Sequence, residues 1–423
     1  MNKGLYGLVI FIVFLSFTGV ASALTPEENL GQSVYQDTAF SLRGNQSCQT
    51  CHHPSAGFAD PVNRRNLVPV SEGSIPGLFG GRNAPPAAYA AFSPIFDRNC
   101  NATGADCFFS GGLFWDGRAT GRMDISGTAG PGDTPTGDPL ADQAKGPFLN
   151  PVEMALVDKA AFLTIFKANQ KYVKFYNQIY PSISTASDND AYNNIARAIA
   201  AFESSTTVNK FKSKFDAFRA EQALESVDVS TITTANSTGI TSAVYSVNEI
   251  DGLALFNTPR DSGGGGCSQC HPVPSTGATQ AESVFTDFSY ENMGIPVNQL
   301  AKDLNGSDDT DYGLGTQVTI LQTVADTELP KLEDADNDQT VVASEAGKFK
   351  VPSLRNIAKT APYGHNGYFL TLFDIVHFYN TREVSDWAPP EVTHNVNDQD
   401  IGNLGLNDSQ EQLIVTFLET LTD

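Results

Sequence analysis

Cys48-Gln-Thr-Cys51-His52 and Cys267-Ser-Gln-Cys270-His271 are two copies of one pattern, Cys-x-x-Cys-His, far apart in a 423-residue chain. The pattern has a direct chemical reading. Two thiols add across the vinyl groups of a haem as thioethers, and the adjoining histidine binds the iron from the same side. A zinc pair or a redox dithiol is the competing reading of two spaced cysteines. Two complete copies, each with its histidine, favour two covalently bound haem c groups with His52 and His271 as proximal ligands. One copy stands near the start of each half, which predicts two cytochrome-like modules in tandem.

What occupies the other face of each iron decides between electron transfer and peroxide chemistry. The chain has six histidines, and outside the two motifs they are His53, His365, His377 and His394. His53 adjoins a proximal ligand and cannot reach the opposite face. The first module thus has no suitable distal histidine, and of the four methionines only Met123 and Met154 lie near it in sequence. An open or water-bound first haem is expected.

Lys3, an apolar run over 5–17 and the small residues Ala21-Ser-Ala23 match an export signal over 1–23, with the mature chain starting near Leu24. No later segment is long and apolar enough to cross a bilayer. This points to a periplasmic or secreted protein. The rest exceeds one ordinary core, so two domains are expected: 24–222 and 248–423, joined by a Ser- and Thr-rich linker or inserted loop over 223–247. The formal charge of −22 argues against nucleic acid, whose phosphates need a basic surface, and suits cationic partners or bound cations. Cys100 and Cys107 flank a short polar loop, and in an exported chain they are expected to form a disulfide that staples it.

Apolar residues recur at helical spacing over 160–176 and 191–218. Ser246 to Glu249 matches a capping box opening a helix over 250–256. At the C-terminus Asn407 or Asp408 can cap a helix whose Leu413, Phe417 and Leu421 form one apolar stripe. Strand signals are sparse, and 63–90 and 127–151 are rich in Gly, Pro and Asn. The expected fold is therefore mostly α, with long ordered loops around the cofactors.

Further motifs follow in order: Gly81-Arg-Asn-Ala-Pro85, Phe114-Trp-Asp-Gly-Arg-Ala119, Gln143-Ala-Lys-Gly-Pro147, Val152-Glu-Met154, Val351-Pro-Ser-Leu-Arg-Asn356 and Thr360-Ala-Pro-Tyr-Gly-His-Asn-Gly367. With them the chain resembles the bacterial di-haem cytochrome c peroxidase and MauG family from about Leu30 to its end. It departs in the Cys100–Cys107 loop, in a Gly- and Pro-rich insertion over 121–138 and in the linker over 230–247. The resemblance implies a peroxidatic haem in the N-terminal domain and an electron-relay haem in the C-terminal one.

Trp115 then matches the tryptophan between the haems, although a buried indole is also an ordinary packing residue. Glu153 matches the distal acid. A carboxylate whose pKa is raised by an apolar pocket can take a proton from peroxide and return it. Gln143 matches a hydrogen-bonding neighbour. The Asn83 side chain with the carbonyls of Thr360 and Pro362 matches a calcium site bridging the domains, a hard-cation set of oxygens. His365 resembles a residue near the relay haem. Separately, Asp334, Asp336, Asp338, Thr340 and Glu345 have EF-hand offsets, but Gln339 stands where glycine belongs, and a solvated acidic loop is the better reading.

Tyr379 lies where peroxidases of the family place a ligating Met and MauG-type members a Tyr, and is expected to be the sixth ligand of the C-terminal haem, with His377 as rival. Met293 precedes this region and matches a loop position. The stretch 68–82 contains no histidine, whereas many family members carry one there that blocks the first iron. Three functions remain. One is reduction of hydrogen peroxide with electrons from a small redox protein. A second is MauG-type oxidation of a partner protein. The third is plain electron transfer, against which the open first haem and Glu153 count.

Overall fold

The computed structural model describes residues 23–100, 107–123, 134–321, 331–333 and 340–423. The expected signal over 1–23 and the acidic positions Asp334, Asp336 and Asp338 lie outside the described residues or at their edge. Glu345, the described end of that acidic run, is buried and paired with Lys348 at 3.1 Å.

The fold is mostly α. Among the described residues, strands occur as short antiparallel pairs, such as Asp97–Cys100 against Cys107–Ser110. Cys100 and Cys107 close that hairpin with a disulfide, as expected. No described helix is long and apolar enough to cross a membrane.

The two halves repeat one packing device. Helix Pro26–Gln36 opens with a capping box from Thr25 and Glu28 and packs on helix Asp188–Ser204. Helix Val247–Asn257 opens with the expected Ser246–Glu249 box and packs on the terminal helix Asp408–Glu419, which Asn407 caps. At each crossing a glycine lets the backbones meet: a Cβ on Gly31 would strike the carbonyl of Ala198, and one on Gly252 that of Leu413. In both halves the haem motif follows the first helix of the pair after a short loop.

Two hydrophobic clusters result. One gathers Phe40, Phe148, Phe162 and Ile199; the other gathers Leu253, Phe256, Phe417 and Leu421. Phe215 and Phe218 of helix Lys214–Leu224 belong to the second, as do Val229, Ile232 and Tyr245 from the stretch read as a linker. Helix Lys214–Leu224 and the buried apolar residues of the 223–247 stretch thus pack with the second cluster.

Other sequence expectations need correction. The pattern over 160–176 is two helices, Lys159–Ala168 and Gln170–Ile179, because the Asn169 side chain caps the second. The pattern over 191–218 is likewise broken, with Ser213 and Asp216 forming a new capping box. Within the Gly- and Pro-rich 127–151 stretch, helix Pro139–Leu149 starts at an Asp138 cap with proline in its first turn, where a missing N–H costs nothing.

Arg355 locks the clusters together. It is 1% exposed, bonds Asp216 through both terminal nitrogens at 2.6 and 2.9 Å, and donates from Nε to the Ser283 carbonyl. Tyr89 of the first core and Phe215 and Phe285 of the second surround it. Arg355→Met leaves Asp216 without its partner and is expected to cost about 3–5 kcal/mol. Chemical denaturation of the mature protein checks this; a loss below about 1 kcal/mol, the value of a surface pair, contradicts it.

Candidate active site: two cavities and a shared wall

Each haem motif opens onto its own cavity. The first, about 560 Å³, is lined by Cys48, Cys51 and His52 together with Gln143, Pro147 and Glu153. The second, about 200 Å³, is lined by Cys267, Cys270, His271 and Tyr379. Trp115 lines both, so its indole is part of the wall between them. Its Nε1 donates to the Asn83 carbonyl at 2.8 Å, and its own carbonyl accepts from the Lys350 N–H, also at 2.8 Å. The first bond orients the ring and the second anchors its backbone.

The motif residues fit a haem. The four cysteines are free thiols. Burial raises the Cys48 and Cys51 thiols and pushes Cys267 and Cys270 up to about 12. A reactive dithiol or a zinc-thiolate pair needs the opposite shift. His52 Nδ1 donates to the Phe58 carbonyl at 3.2 Å, and His271 Nδ1 to that of Phe285 at 2.8 Å. That bond fixes the tautomer and leaves each Nε2 lone pair for a metal. Both phenylalanines are left-handed, with φ of 64° and 54°, a rare state for a bulky side chain. The same strained turn thus orients both histidines.

In the first cavity, Gln143 and Pro147 project from one face of helix Pro139–Leu149, four residues apart. Glu153 sits in the turn that follows. Burial raises its carboxyl above the ordinary value, against the pull of Arg118 and a 2.9 Å hydrogen bond from Asn150. A carboxyl so placed can exchange a proton with a cavity ligand. The 68–82 loop contributes Ser71, Glu72 and Gly73 to the lining. Ser71 Oγ is spent on Asp60, and the Glu72 carboxylate on the Gly77 N–H. His53 caps a surface turn through Ser55 and does not line the cavity. Met123 is 70% exposed and does not line it either; Met154 does.

In the second cavity, Leu372, Ile375, Val376 and Tyr379 face inward from helix Leu372–Thr381. His377 lies two residues before Tyr379, about 200° around the helix, and its ring pairs outward with Glu411 at 3.0 Å. The rival ligand is thereby turned away. Burial, and after it the Cys270 and Cys267 thiols, raises the Tyr379 phenol. Met293 does line this cavity, although its place in the chain had set it aside. His365 also lines it, stacked on Phe349 at 3.5 Å, and burial pushes its imidazole down to about 3.

The proposed calcium ligands meet in part. Asn83 Nδ2 lies 3.3 Å from the Pro362 carbonyl and 3.1 Å from that of Pro69. As placed, the amide nitrogen satisfies the carbonyls itself, and a cation there requires the amide to turn over. Among the described residues no cluster of three or more His, Cys, Asp or Glu could hold a metal ion, a criterion that carbonyl donors do not enter.

Sequence reasoning assigned no role to three charged residues at these cavities. Lys350 lines both, and burial pushes its amine down to about 7. Glu203 lines the first with one oxygen unpartnered, and burial pushes it up to about 8. Arg118 also lines the first. Only Arg118 stood inside a quoted motif; Lys350 and Glu203 look like ordinary solvated charges until the chain is folded.

Residues 25–223 match the family described as di-haem cytochrome c peroxidase. Methylamine utilization protein MauG of Paracoccus denitrificans is 30% identical, over 97% of this chain and 93% of that protein. Cytochrome c551 peroxidase of Nitrosomonas europaea is 26% identical, over 95% and 82%. The fold is similar to the crystal structure of the diheme peroxidase BthA from Burkholderia thailandensis, with a TM-score of 0.70 at 25% identity, covering 96% of this chain and 87% of that one. The chain therefore belongs to the bacterial di-haem cytochrome c peroxidase and MauG family: it is a periplasmic or secreted haem-dependent peroxidase or oxidase.

Proposed function

We propose that hydrogen peroxide reacts in the first cavity and that oxidising equivalents pass through Trp115 to the second. The observation that carries this reading is the shared wall: two histidine-bearing cavities share a lining that includes the Trp115 indole, and only the first holds Glu153. Haem c, when bound through Cys48/Cys51 and Cys267/Cys270, supplies a redox-active iron to each cavity. His52 and His271, each fixed through Nδ1, would hold the iron through Nε2. In the first cavity, Glu153 takes a proton from peroxide and returns one to the departing oxygen, while Gln143 hydrogen-bonds beside it. Tyr379, which lines the second cavity, would supply a further ligand to the haem there. Calcium between Asn83, Thr360 and Pro362, at the seam of the two domains, belongs to the same proposal.

Two electron sources fit this arrangement. A small redox protein makes the chain a peroxidase. A partner protein that is itself oxidised makes it a MauG-type oxidase, and the identity and coverage shared with MauG support that reading. Turnover with reduced small cytochromes separates them: rapid turnover supports the peroxidase, negligible turnover the partner oxidase.

The mature ferric protein is expected to carry two haems by intact mass. Its spin-resonance spectrum is expected to contain one site open or water-bound and one with two protein ligands. Fewer than two haems, or two sites each saturated by protein ligands, contradicts the reading.

A further inference from the structure

We propose that Arg118 is the anion-binding residue of the first cavity, holding the hydroperoxide anion that forms when Glu153 takes a proton from hydrogen peroxide. This rests on the reading of that cavity as the peroxide site.

Arg118 sits on a tight loop between Leu113 and Ala119. Leu113 and Ala119 pair through their backbones, with N–H to carbonyl distances of 2.9 and 3.4 Å. Phe114 and Gly117 reverse the chain between them in the left-handed region, at φ of 63° and 77°. So tight a loop sends its side chains in fixed and different directions. Trp115 enters the wall between the cavities, and Asp116 turns inward, 2% exposed and bound to Arg82 at 2.7 Å. Arg118 lines the first cavity.

Its guanidinium is held on two sides. Nη1 donates to both Asp116 oxygens, at 3.1 and 3.0 Å. One face lies 3.6 Å from the centre of the Phe114 ring, a cation–π contact that immobilises the plane. Among the described residues neither Nε nor Nη2 has a hydrogen-bond partner, and the side chain keeps 34% of its surface open. A fixed, partly desolvated fork with unspent N–H groups is a preorganised site for a small anion.

The relation to Glu153 gives that anion a source. Arg118 lies near enough to lower the Glu153 carboxyl, yet among the described residues the two form no ion pair. A direct pair would tie both groups up. Kept apart along one cavity, they can share a ligand. Hydrogen peroxide and the Glu153 carboxylate then give hydroperoxide and the carboxylic acid. One O–H bond breaks, one forms, and no electron moves. The negative charge leaves Glu153 and appears beside Arg118, where charge-assisted hydrogen bonds favour it.

Two other roles suit the same residue: stiffening the loop through Asp116, or holding a carboxylate of the cofactor. Fluoride separates them, because it is a small anion that depends on donors in the cavity. The experiment uses the mature haem-loaded protein with Arg118→Gln and Arg118→Lys. Fluoride affinity of the ferric first site is read by absorption, with neutral imidazole as control. Arg118→Gln is expected to weaken fluoride by about 10- to 100-fold, the value of a hydrogen bond to a charged group, and to leave imidazole within about threefold. Arg118→Lys is expected to keep most of the fluoride affinity, and the peroxide rate to follow fluoride across the variants. Unchanged fluoride affinity in Arg118→Gln overturns the inference, and so does an equal loss of fluoride and imidazole, which marks general disruption. If Glu153→Gln abolishes the peroxide reaction while Arg118→Gln alters neither fluoride nor peroxide, only this inference fails. If Glu153→Gln is harmless, the site reading beneath it fails.

Discussion

Glu153→Gln is expected to slow the reaction of the ferric protein with hydrogen peroxide by about 10²- to 10⁴-fold, the usual contribution of a positioned acid–base group. Glutamine keeps the size of the side chain and can still hydrogen-bond Asn150, so the loss isolates proton transfer. The pH dependence follows from the environment of the carboxyl. Burial raises its pKa, and Arg118 and Asn150 recover only part of that shift. The basic form is therefore present only above the raised pKa. The peroxide rate should climb with pH through a midpoint above the ordinary carboxyl range and level off beyond it. The glutamine variant should lack that limb altogether. A variant rate within about threefold of the parent, far short of the hundredfold that a positioned general base contributes at least, or a parent rate flat from about pH 4 to 8, removes Glu153 from the reaction.

Tyr379→Phe should change the second site strongly while leaving the Cys267-Cys270-His271 attachment in place. Phenylalanine keeps the ring against its neighbours and removes only the oxygen. An anionic phenolate favours oxidised iron, so its loss should raise the reduction potential. Axial ligands move haem potentials across about 0.8 V, and a shift on the order of 100 mV or more is expected. The ferric spectrum of that site should lose its phenolate features, while the first site stays as it was. Met293 lines the same cavity. An unchanged spectrum in Tyr379→Phe, with a changed one in Met293→Leu, transfers the ligand role to the methionine.

The parts of this molecule that were legible in its sequence are those set by local chemistry. The two Cys-x-x-Cys-His runs, the Cys100–Cys107 hairpin, the Ser246 capping box and the Asn407 cap each depend on residues a few positions apart. What failed depended on competition between neighbours. Periodicity over 160–176 marked no boundary inside that stretch, because Asn169 carries no apolar signal, yet its side chain caps the helix that follows. The helix Pro139–Leu149 was hidden among glycines and prolines whose helix-starting role needs Asp138 as cap. The 223–247 stretch read as a linker since its few apolar residues lack a period, although Val229, Ile232 and Tyr245 are buried.

The site divides in the same way. Glu153, Trp115, Gln143 and Tyr379 were singled out by motif and do line the cavities. Motif reading could not tell that Trp115 faces both. Nor could it tell that His377 points away to Glu411, which follows from helix geometry once the face occupied by Tyr379 is known. Arg118, Lys350 and Glu203 were missed because a charged residue gives no sign in sequence that folding will bury it beside a cavity.

We propose that the first site is open to peroxide in the resting protein. The 68–82 loop offers no imidazole, and its Ser71 and Glu72 side chains are already spent on Asp60 and Gly77. Stopped-flow mixing of the fully ferric, haem-loaded protein with hydrogen peroxide tests this most directly. An immediate spectral change at the first site, with no prior reduction, is the predicted result. A spectrum that stays unchanged until one electron per chain has been added would mean that the site is closed at rest, and would contradict the account.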